Sequence, residues 1–241
     1  MSGSRQQELP LQDRPRRRRK GAGRKPAIEG RPKLRHEKRP RTEARFPVHI
    51  TVRVKREVRR LRRFELCKVL RRAFVYGCRR SKQGTAEFRI CQFSIQGNHM
   101  HLICEATHNA ILANGMQAWA VRIARGLNRY LGRDGTVFDD RYHLEVLKTP
   151  TQTRHALCYV LQNARRHSEV LDERWNGMDP FSSAWWFDGW VDDSWKRGLS
   201  PPEVRTVAEP ASWLLRIGWQ RSRFGLISIT EVPPAARCRW V

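Results

Sequence analysis

The stretch on which the fold depends is residues 97–104, which read GNHMHLIC. Apolar and polar residues alternate here, as in a β-strand, whose side chains point to opposite faces with period two. His99 and His101 would therefore share one face, while Met100 and Leu102 take the other. Two imidazoles on one face of a rigid element can bind one metal ion together. The alternative is a pair of histidines near a strand end that binds nothing, since a short motif is only a hypothesis.

A second informative stretch, residues 156–166, reads ALCYVLQNARR and has the spacing of a helix. Its apolar stripe consists of Leu157, Leu161 and Ala164. Tyr159 is predicted on the opposite side, turned from the core, with Asn163 one turn further on. The same polar flank carries His155, Gln162 and Arg166. A tyrosine beside an amide and an arginine suits chemistry on a phosphate, whereas a surface tyrosine with a hydrated hydroxyl is the simpler alternative.

The charge of the chain indicates a polyanionic partner. Its 241 residues carry 48 Lys and Arg against 23 Asp and Glu, a formal net charge of +25. Such a field favours binding to phosphates, although charge alone fits DNA, RNA or an acidic membrane surface.

A cytoplasmic location is expected from three absences. No apolar run approaches the ~20 residues of a membrane helix, and the N-terminal residues lack the apolar core of a secretory signal. The six cysteines show no Cys-x-x-Cys spacing and are expected to be buried free thiols in a reducing compartment.

Composition divides the chain into three parts. Residues 1–45 hold sixteen Lys or Arg against five Asp or Glu and almost no apolar residues, which predicts a disordered basic arm. This arm could lie along a nucleic-acid backbone or be a solvated tail without a specific role. Residues 46–167 form the predicted domain. Residues 168–241 carry eight of the nine tryptophans. Such aromatics can stack unpaired bases, but we favour anchors that pack an appendage onto the domain.

Periodicity within residues 46–167 predicts the order strand, helix, strand, strand, helix, strand, and then a final helix. The predicted strands are 48–54, 88–95, 99–105 and 142–147, and the predicted helices are 57–76, 110–131 and one from 150. Thr149 can cap this last helix, with Pro150 at its first position and Gln152 completing a capping box. The order of elements is that of an α+β, ferredoxin-like fold, an antiparallel sheet with flanking helices.

Further basic side chains are candidates for binding. Arg122, Arg125 and Arg129 lie on one stripe of the second predicted helix. They could grip phosphates, although charged helix faces are usually only solvated, and the overall charge favours phosphate. His49 shares the polar face of the first strand, where we favour a structural role or a hydrogen bond to a metal-binding histidine. His143 and His155 are weaker candidates.

Four segments resemble one known family, in the same order along the chain. The segments are 47–51 (PVHIT), 96–102 (QGNHMHL), 138–143 (FDDRYH) and 159–163 (YVLQN). They resemble the single-tyrosine transposases whose metal site is named for a His-hydrophobic-His (HUH) motif, and within them the REP-associated tyrosine transposases. The resemblance covers about residues 46–167 and leaves both tails outside it.

The resemblance implies a ferredoxin-like fold and a metal-dependent enzyme that cleaves and rejoins single-stranded DNA near hairpins. Tyr159 would be the nucleophile, forming a 5′-phosphotyrosine and a free 3′-hydroxyl. His99, His101 and the Asn163 side-chain oxygen would hold Mg²⁺ or Mn²⁺, and this ligand set does not exclude zinc. Relatives differ in which amide follows the tyrosine, so Gln162 is the alternative ligand.

Two other functions stay open at this point. One is a basic nucleic-acid-binding protein without catalysis, such as a domesticated relative. The other is a replication or conjugation nickase that shares the metal motif, which the short domain and the lack of a helicase-like extension disfavour. The expected partner is hairpin-bearing single-stranded DNA in the cytoplasm, at the nucleoid, without a membrane, and the resemblance also allows a homodimer.

Overall fold

The computed structural model describes residues 39–58, 60–77, 87–166 and 177–233. A four-stranded antiparallel sheet in the order β2-β3-β1-β4 is its centre, which confirms the α+β, ferredoxin-like prediction. The strands are β1 (Val48–Arg53), β2 (Phe88–Ile95), β3 (His99–Ala106) and β4 (His143–Val146). The helices are α1 (Phe64–Gly77), α2 (Asn109–Leu131), α3 (Pro150–Leu161), α4 (Asn163–Arg166) and α5 (Trp213–Arg216). No helix in these ranges is long and apolar enough to cross a membrane.

The first helix begins seven residues later than predicted, at Phe64 instead of 57. The reason lies at Arg60, whose φ of 73° is incompatible with a continuing right-handed helix. The backbone N–H groups of Arg60 and Leu61 both donate to the Gly97 carbonyl, at 2.7 and 3.0 Å. The chain before α1 is thereby fastened to the turn that precedes β3.

One face of the sheet is apolar and packs against α1 and α2. Val48, Ile50 and Val52 of β1 lie on this face and are buried. Phe74 of α1 stacks on Phe93 of β2 with 4.0 Å between ring centroids. This is the core that strict alternation along β1 predicts.

The opposite face of the sheet is polar and is also buried. Strand register puts Thr51 opposite His101, and His49 opposite Glu145. A second core covers this face, built from α3 and from residues 177–233, which we call the C-terminal segment. Trp190, Trp195 and Trp219 lie in this core, which confirms the interpretation of these three as anchors. Four cysteines, Cys67, Cys91, Cys104 and Cys158, are buried and free, as predicted.

The C-terminal segment also covers the outer edge of β2, which pairs with β3 on its other side. The Ile95 N–H donates to the Phe181 carbonyl (2.8 Å), and the Ser183 N–H donates to the Phe93 carbonyl (2.9 Å). Further along, the Ala208 N–H donates to the Ile90 carbonyl (2.9 Å). An uncovered edge strand is a template for unwanted pairing. The segment therefore completes the sheet as well as the second core.

Most of the predicted basic arm, residues 1–38, lies outside the described ranges. Residues 39–45, which the prediction included in the arm, contact the domain. The Arg39 guanidinium lies 3.8 Å from the centre of the Tyr142 ring. Thr42 is buried, and its N–H donates to the Asn109 side-chain oxygen.

The helix α3 packs between the sheet and the C-terminal segment. Thr149 caps it as predicted, its hydroxyl accepting from the Gln152 N–H at 3.2 Å. Every residue from Ala156 to Leu161 is buried. The prediction that Tyr159 turns away from a core is therefore wrong, because the second core lies on that side.

A buried arginine fixes α3 to the C-terminal segment. Arg154 is 3% exposed and donates to both carboxylate oxygens of Glu231, at 2.7 and 2.8 Å. Its other donors reach the carbonyls of Gly225 and Leu226, each at 2.9 Å. The hydrogen bonds from Arg154 hold the pKa of Glu231 below its usual range. Four hydrogen bonds from one guanidinium thus join two distant parts of the chain.

Replacing Glu231 by Gln should lower the free energy of unfolding by about 1–3 kcal/mol at pH 7, because Arg154 is left buried without its carboxylate. A carboxylate whose pKa is lowered by folding contributes fully to stability at pH values above its pKa in the unfolded chain, about 4.3. This contribution is lost as the pH falls through its lower pKa in the folded protein. Urea unfolding at pH 7 and at pH 3 should therefore show the difference between wild type and variant shrinking at the lower pH.

The matched control is Glu209→Gln. Glu209 forms an exposed i,i+4 ion pair with Arg205. This change should cost at most about 0.5 kcal/mol. Equal losses from the two variants would contradict a special role for the Arg154–Glu231 pair.

Candidate active site

His99 and His101 lie on the polar face of β3 and aim at one point. Their Nε2 atoms are 3.0 Å apart, and their rings are perpendicular with centroids separated by 4.7 Å. Both side chains are buried. The predicted sharing of one strand face thus produces a convergent pair of imidazole nitrogens.

The other nitrogen of each imidazole has a hydrogen-bond partner. The Nδ1 of His99 lies 2.7 Å from the Asn98 side-chain oxygen. The Nδ1 of His101 lies 3.1 Å from the Thr51 hydroxyl and 3.2 Å from Nε2 of His49. An acceptor at Nδ1 favours the proton there, so that Nε2 is the nitrogen that would bind a metal.

A neutral His49 can accept a hydrogen bond at Nε2 from the Nδ1–H of His101. Burial lowers its pKa to about 4, against the attraction of Glu145 across the strand pair and with a smaller effect of His143. The structure places His49 behind His101, at Nδ1, and not beside the converging Nε2 atoms. Sequence reasoning missed Asn98 and Thr51 as partners. Asn98 is adjacent to His99 in the chain, whereas Thr51 is apparent only from the strand register.

The separation of the two Nε2 atoms matches a chelating pair. Two nitrogens that each lie about 2.1 Å from one ion, at 90–110° to each other, are about 3.0–3.4 Å apart. With both protons on Nδ1, two lone pairs face each other and a cation between them is stabilising, whereas with one proton on Nε2 the same distance is a hydrogen bond between the rings. No group of three His, Cys, Asp or Glu able to hold a metal occurs in the described residues. A third ligand from these residues would then be an oxygen of another group, and a side-chain amide is one such group.

Asn163 is such an amide, and it is fully buried. Neither its side-chain oxygen nor its nitrogen has a hydrogen-bond partner within the part of the chain that the structure describes. Burying an unpaired amide is costly, so a structural reason for this side chain is lacking. Gln162, the alternative ligand, donates from Nε2 to the Ser228 carbonyl at 2.6 Å. Of the two adjacent amides, Asn163 is the one with an orphaned oxygen.

Asn163 does not continue the helix of Tyr159. The helix α3 ends at Leu161, and Gln162 has φ −113° and ψ 17°, outside the helical range. Asn163 starts the short helix α4. A break in the helix between α3 and α4 therefore interrupts the predicted one-turn spacing from Tyr159 to Asn163.

Tyr159 packs directly against the histidines. Its ring centroid is 5.0 Å from that of His101 and 6.0 Å from that of His49, and both contacts are edge-on. Only 4% of its surface is exposed. The tyrosine and the two imidazoles of the pair therefore form one buried group.

The remaining predicted residues lie elsewhere. Arg166 donates to the Pro233 carbonyl at 3.1 Å, and the His155 ring packs against Phe224 with 5.0 Å between centroids. The predicted phosphate-binding stripe, Arg122, Arg125 and Arg129, is exposed on α2. That helix packs on the apolar face of the sheet, so the sheet separates the stripe from the histidine pair.

The sequence matches no family model, and no curated protein matches it. Among solved structures, a REP-associated tyrosine transposase bound to a REP hairpin is similar, with 16% sequence identity and a TM-score of 0.48. The match covers 74% of this chain and 100% of that one. A similarity this distant transfers neither residue roles nor activity.

The orphaned amide leads to a prediction about stability. We expect Asn163→Leu, measured by urea unfolding in the presence of a chelator, to leave the free energy of unfolding unchanged or to raise it by about 1 kcal/mol. Leucine has the same branching at Cγ and removes the unpaired polar atoms. The control Gln162→Leu should lower it by about 1–3 kcal/mol, since the Ser228 carbonyl loses its donor. Equal damage from both changes would show that Asn163 has a structural partner.

Proposed function

We propose that this chain is a metal-dependent enzyme that cleaves and rejoins single-stranded DNA, with Tyr159 as the nucleophile. One observation carries the proposal. The Nε2 atoms of two buried histidines lie 3.0 Å apart, with each Nδ1 hydrogen-bonded, and the ring of Tyr159 packs against one of them. The net charge of +25 supports a polyanionic substrate.

His99 and His101 would hold a divalent ion through Nε2, and Asn163 would supply its side-chain oxygen. Mg²⁺ or Mn²⁺ suits the open positions that such a set leaves, and its donor atoms also suit zinc. When bound, the ion would polarise the scissile phosphate and stabilise the charge that develops on it. Asn98, Thr51 and His49 would keep the imidazole protons on Nδ1 and the rings in place.

In the proposed reaction the Tyr159 hydroxyl loses its proton and attacks the phosphorus. A bond forms between the tyrosine oxygen and phosphorus, while the bond to the 3′ oxygen breaks and that oxygen takes up a proton. The products are a 5′-phosphotyrosine and a 3′-hydroxyl, and the reverse attack rejoins the strand without an external energy source.

The burial of Tyr159, His99 and His101 constrains this reaction. A phosphate can reach the pair only if the tyrosine or its covering residues move. The same burial favours a second candidate, a basic nucleic-acid-binding protein without catalysis, in which these side chains serve the core alone. Hairpin-bearing DNA as the partner, the nucleoid as the location and a homodimer stay predictions.

The nucleophile is tested by Tyr159→Phe, incubated with end-labelled, hairpin-bearing single strands and Mg²⁺ or Mn²⁺. The wild type should form a covalent adduct that survives denaturing electrophoresis, and the variant should lose it by roughly 10³-fold or more. DNA affinity should stay within about twofold, because only the hydroxyl is removed. Tyr130→Phe, on the exposed surface of α2, is the control and should keep the adduct. A wild type that binds these strands without ever forming an adduct would favour the non-catalytic protein.

The metal is tested by titration calorimetry with Mn²⁺ on chelator-treated protein. His101→Ala should abolish binding, and Asn98→Ala should weaken it by 10- to 100-fold, because the orienting hydrogen bond to His99 is lost. The control His108→Ala removes an exposed histidine just before α2 and should change nothing. Equal Mn²⁺ affinities for wild type and His101→Ala would rule out the histidine pair as the site.

A further inference from the structure

A solvent-open cleft of about 480 Å³ lies between α1 and the C-terminal segment, near the covered edge of β2. Its volume is in the range of small-ligand sites, roughly 300–1,000 Å³. One wall is a single stripe of α1, with Lys68, Arg71, Arg72 and Val75 at spacings of three and four residues. The facing wall includes Trp185 and Trp186.

The α1 wall is cationic. Lys68 and Arg72 are exposed, and Lys68 pairs with Glu65 in an exposed ion pair that contributes little to stability. Arg71 also lines the cleft and donates to the Pro180 carbonyl at 2.6 Å.

The acidic side chains of the cleft do not balance these cations. The carboxylate of Asp179 is already paired with Arg62, which donates to both of its oxygens at 3.0 Å. Glu203 is exposed at the margin. The cleft therefore has an excess of positive charge and suits a phosphate-bearing ligand.

The tryptophan wall differs from the tryptophans of the core. Trp185 and Trp186 are only partly buried, whereas Trp190, Trp195 and Trp219 are buried. Trp185 is held edge-on by Trp195, with 5.6 Å between centroids. The Arg205 guanidinium lies 5.7 Å from the centre of the Trp186 ring. Fixed, partly exposed indoles beside cations are the combination that binds unpaired bases and their phosphates.

The cleft is connected to the turn that precedes the histidine pair. Arg62, which pairs with Asp179 of the cleft, also donates to the Ile95 carbonyl at 3.1 Å. Ile95 ends β2, and the next residues form the turn into His99. The chain that leads into α1 is bonded to the same turn, because the Leu61 N–H donates to the Gly97 carbonyl at 3.0 Å. Arg62 and Leu61 therefore join the α1 side of the cleft to the chain that leads into β3.

We propose that this cleft binds an unpaired segment of single-stranded DNA, with phosphates on Lys68 and Arg72 and a base stacked on Trp185 or Trp186. The choice of DNA rests on the proposed function, but the binding site itself does not use Tyr159 or the histidine pair. The C-terminal segment then has a binding role in addition to its role in the core.

The test measures binding of the full-length protein to two fluorescent oligonucleotides without hairpins, an oligo(dT) and the same backbone with abasic positions. Trp185→Leu and Trp186→Leu should each be made. At least one should weaken oligo(dT) binding by roughly 5- to 150-fold, as expected for one stacked base, and leave abasic binding within about twofold. Trp213→Leu, an exposed tryptophan on α5, is the control and should bind both as wild type does.

The charged wall is tested separately, with exposed residues whose change does not disturb the core. Lys68→Glu/Arg72→Glu should weaken binding to both oligonucleotides. It should reduce the slope of log affinity against log salt by about 1.4, or 0.7 for each phosphate contact. The control Arg216→Glu/Arg221→Glu makes the same charge change on the exposed surface around α5.

Three outcomes decide between the proposals. DNA binding in the cleft is supported if a tryptophan variant loses affinity for oligo(dT) only and the Lys68→Glu/Arg72→Glu variant has a reduced salt slope. This holds whether or not the wild type forms a Tyr159 adduct. If the cleft variants bind both oligonucleotides with the same affinity as their control variants, the cleft proposal is wrong, even if the Tyr159 adduct forms. Equal loss on both oligonucleotides for the tryptophan variants overturns the base platform.

Discussion

Imidazoles buried on one face of a sheet are the constraint around which this protein is built. A buried polar side chain is stable only when its hydrogen-bonding atoms are paired. Asn98, Thr51 and His49 pair the Nδ1 atoms of His99 and His101, which leaves the two Nε2 atoms to face each other at 3.0 Å. The proposed metal site rests on this convergence of the two Nε2 atoms, and the unpaired amide of Asn163 is its proposed third ligand.

Covering this polar face requires a second core. The helix α3 lies over the histidines, and the C-terminal segment lies over α3 and along the edge of β2. Arg154 connects these layers through Glu231 and the carbonyls of Gly225 and Leu226. The contacts that hold Tyr159 against His101 also exclude solvent from the tyrosine. The packing that stabilises the protein therefore limits the access of a substrate to this site.

The C-terminal segment uses its tryptophans in two ways. Those that face α3 are buried and fill the second core, whereas Trp185 and Trp186 remain partly exposed beside the cations of α1. The proposed DNA contact in this cleft lies between α1 and the segment that covers the edge of β2, outside the buried histidine site. The arginine stripe on α2 lies on the other side of the sheet from the histidine pair.

The sequence by itself determined the order of strands and helices, the shared face of His99 and His101, and the cap at Thr149. These features depend on residues close together in the chain, through period-two and helical spacing, capping and turns. The tertiary structure alone decided the contacts that join distant residues: His101 with Thr51, fifty positions away, and Arg154 with Glu231, seventy-seven positions away. It also decided that Tyr159 is buried, because a helix predicted to be half-exposed acquires a second covering layer that its own periodicity does not record. Local patterns show which side of an element is apolar, but only the packed chain shows what lies against the other side.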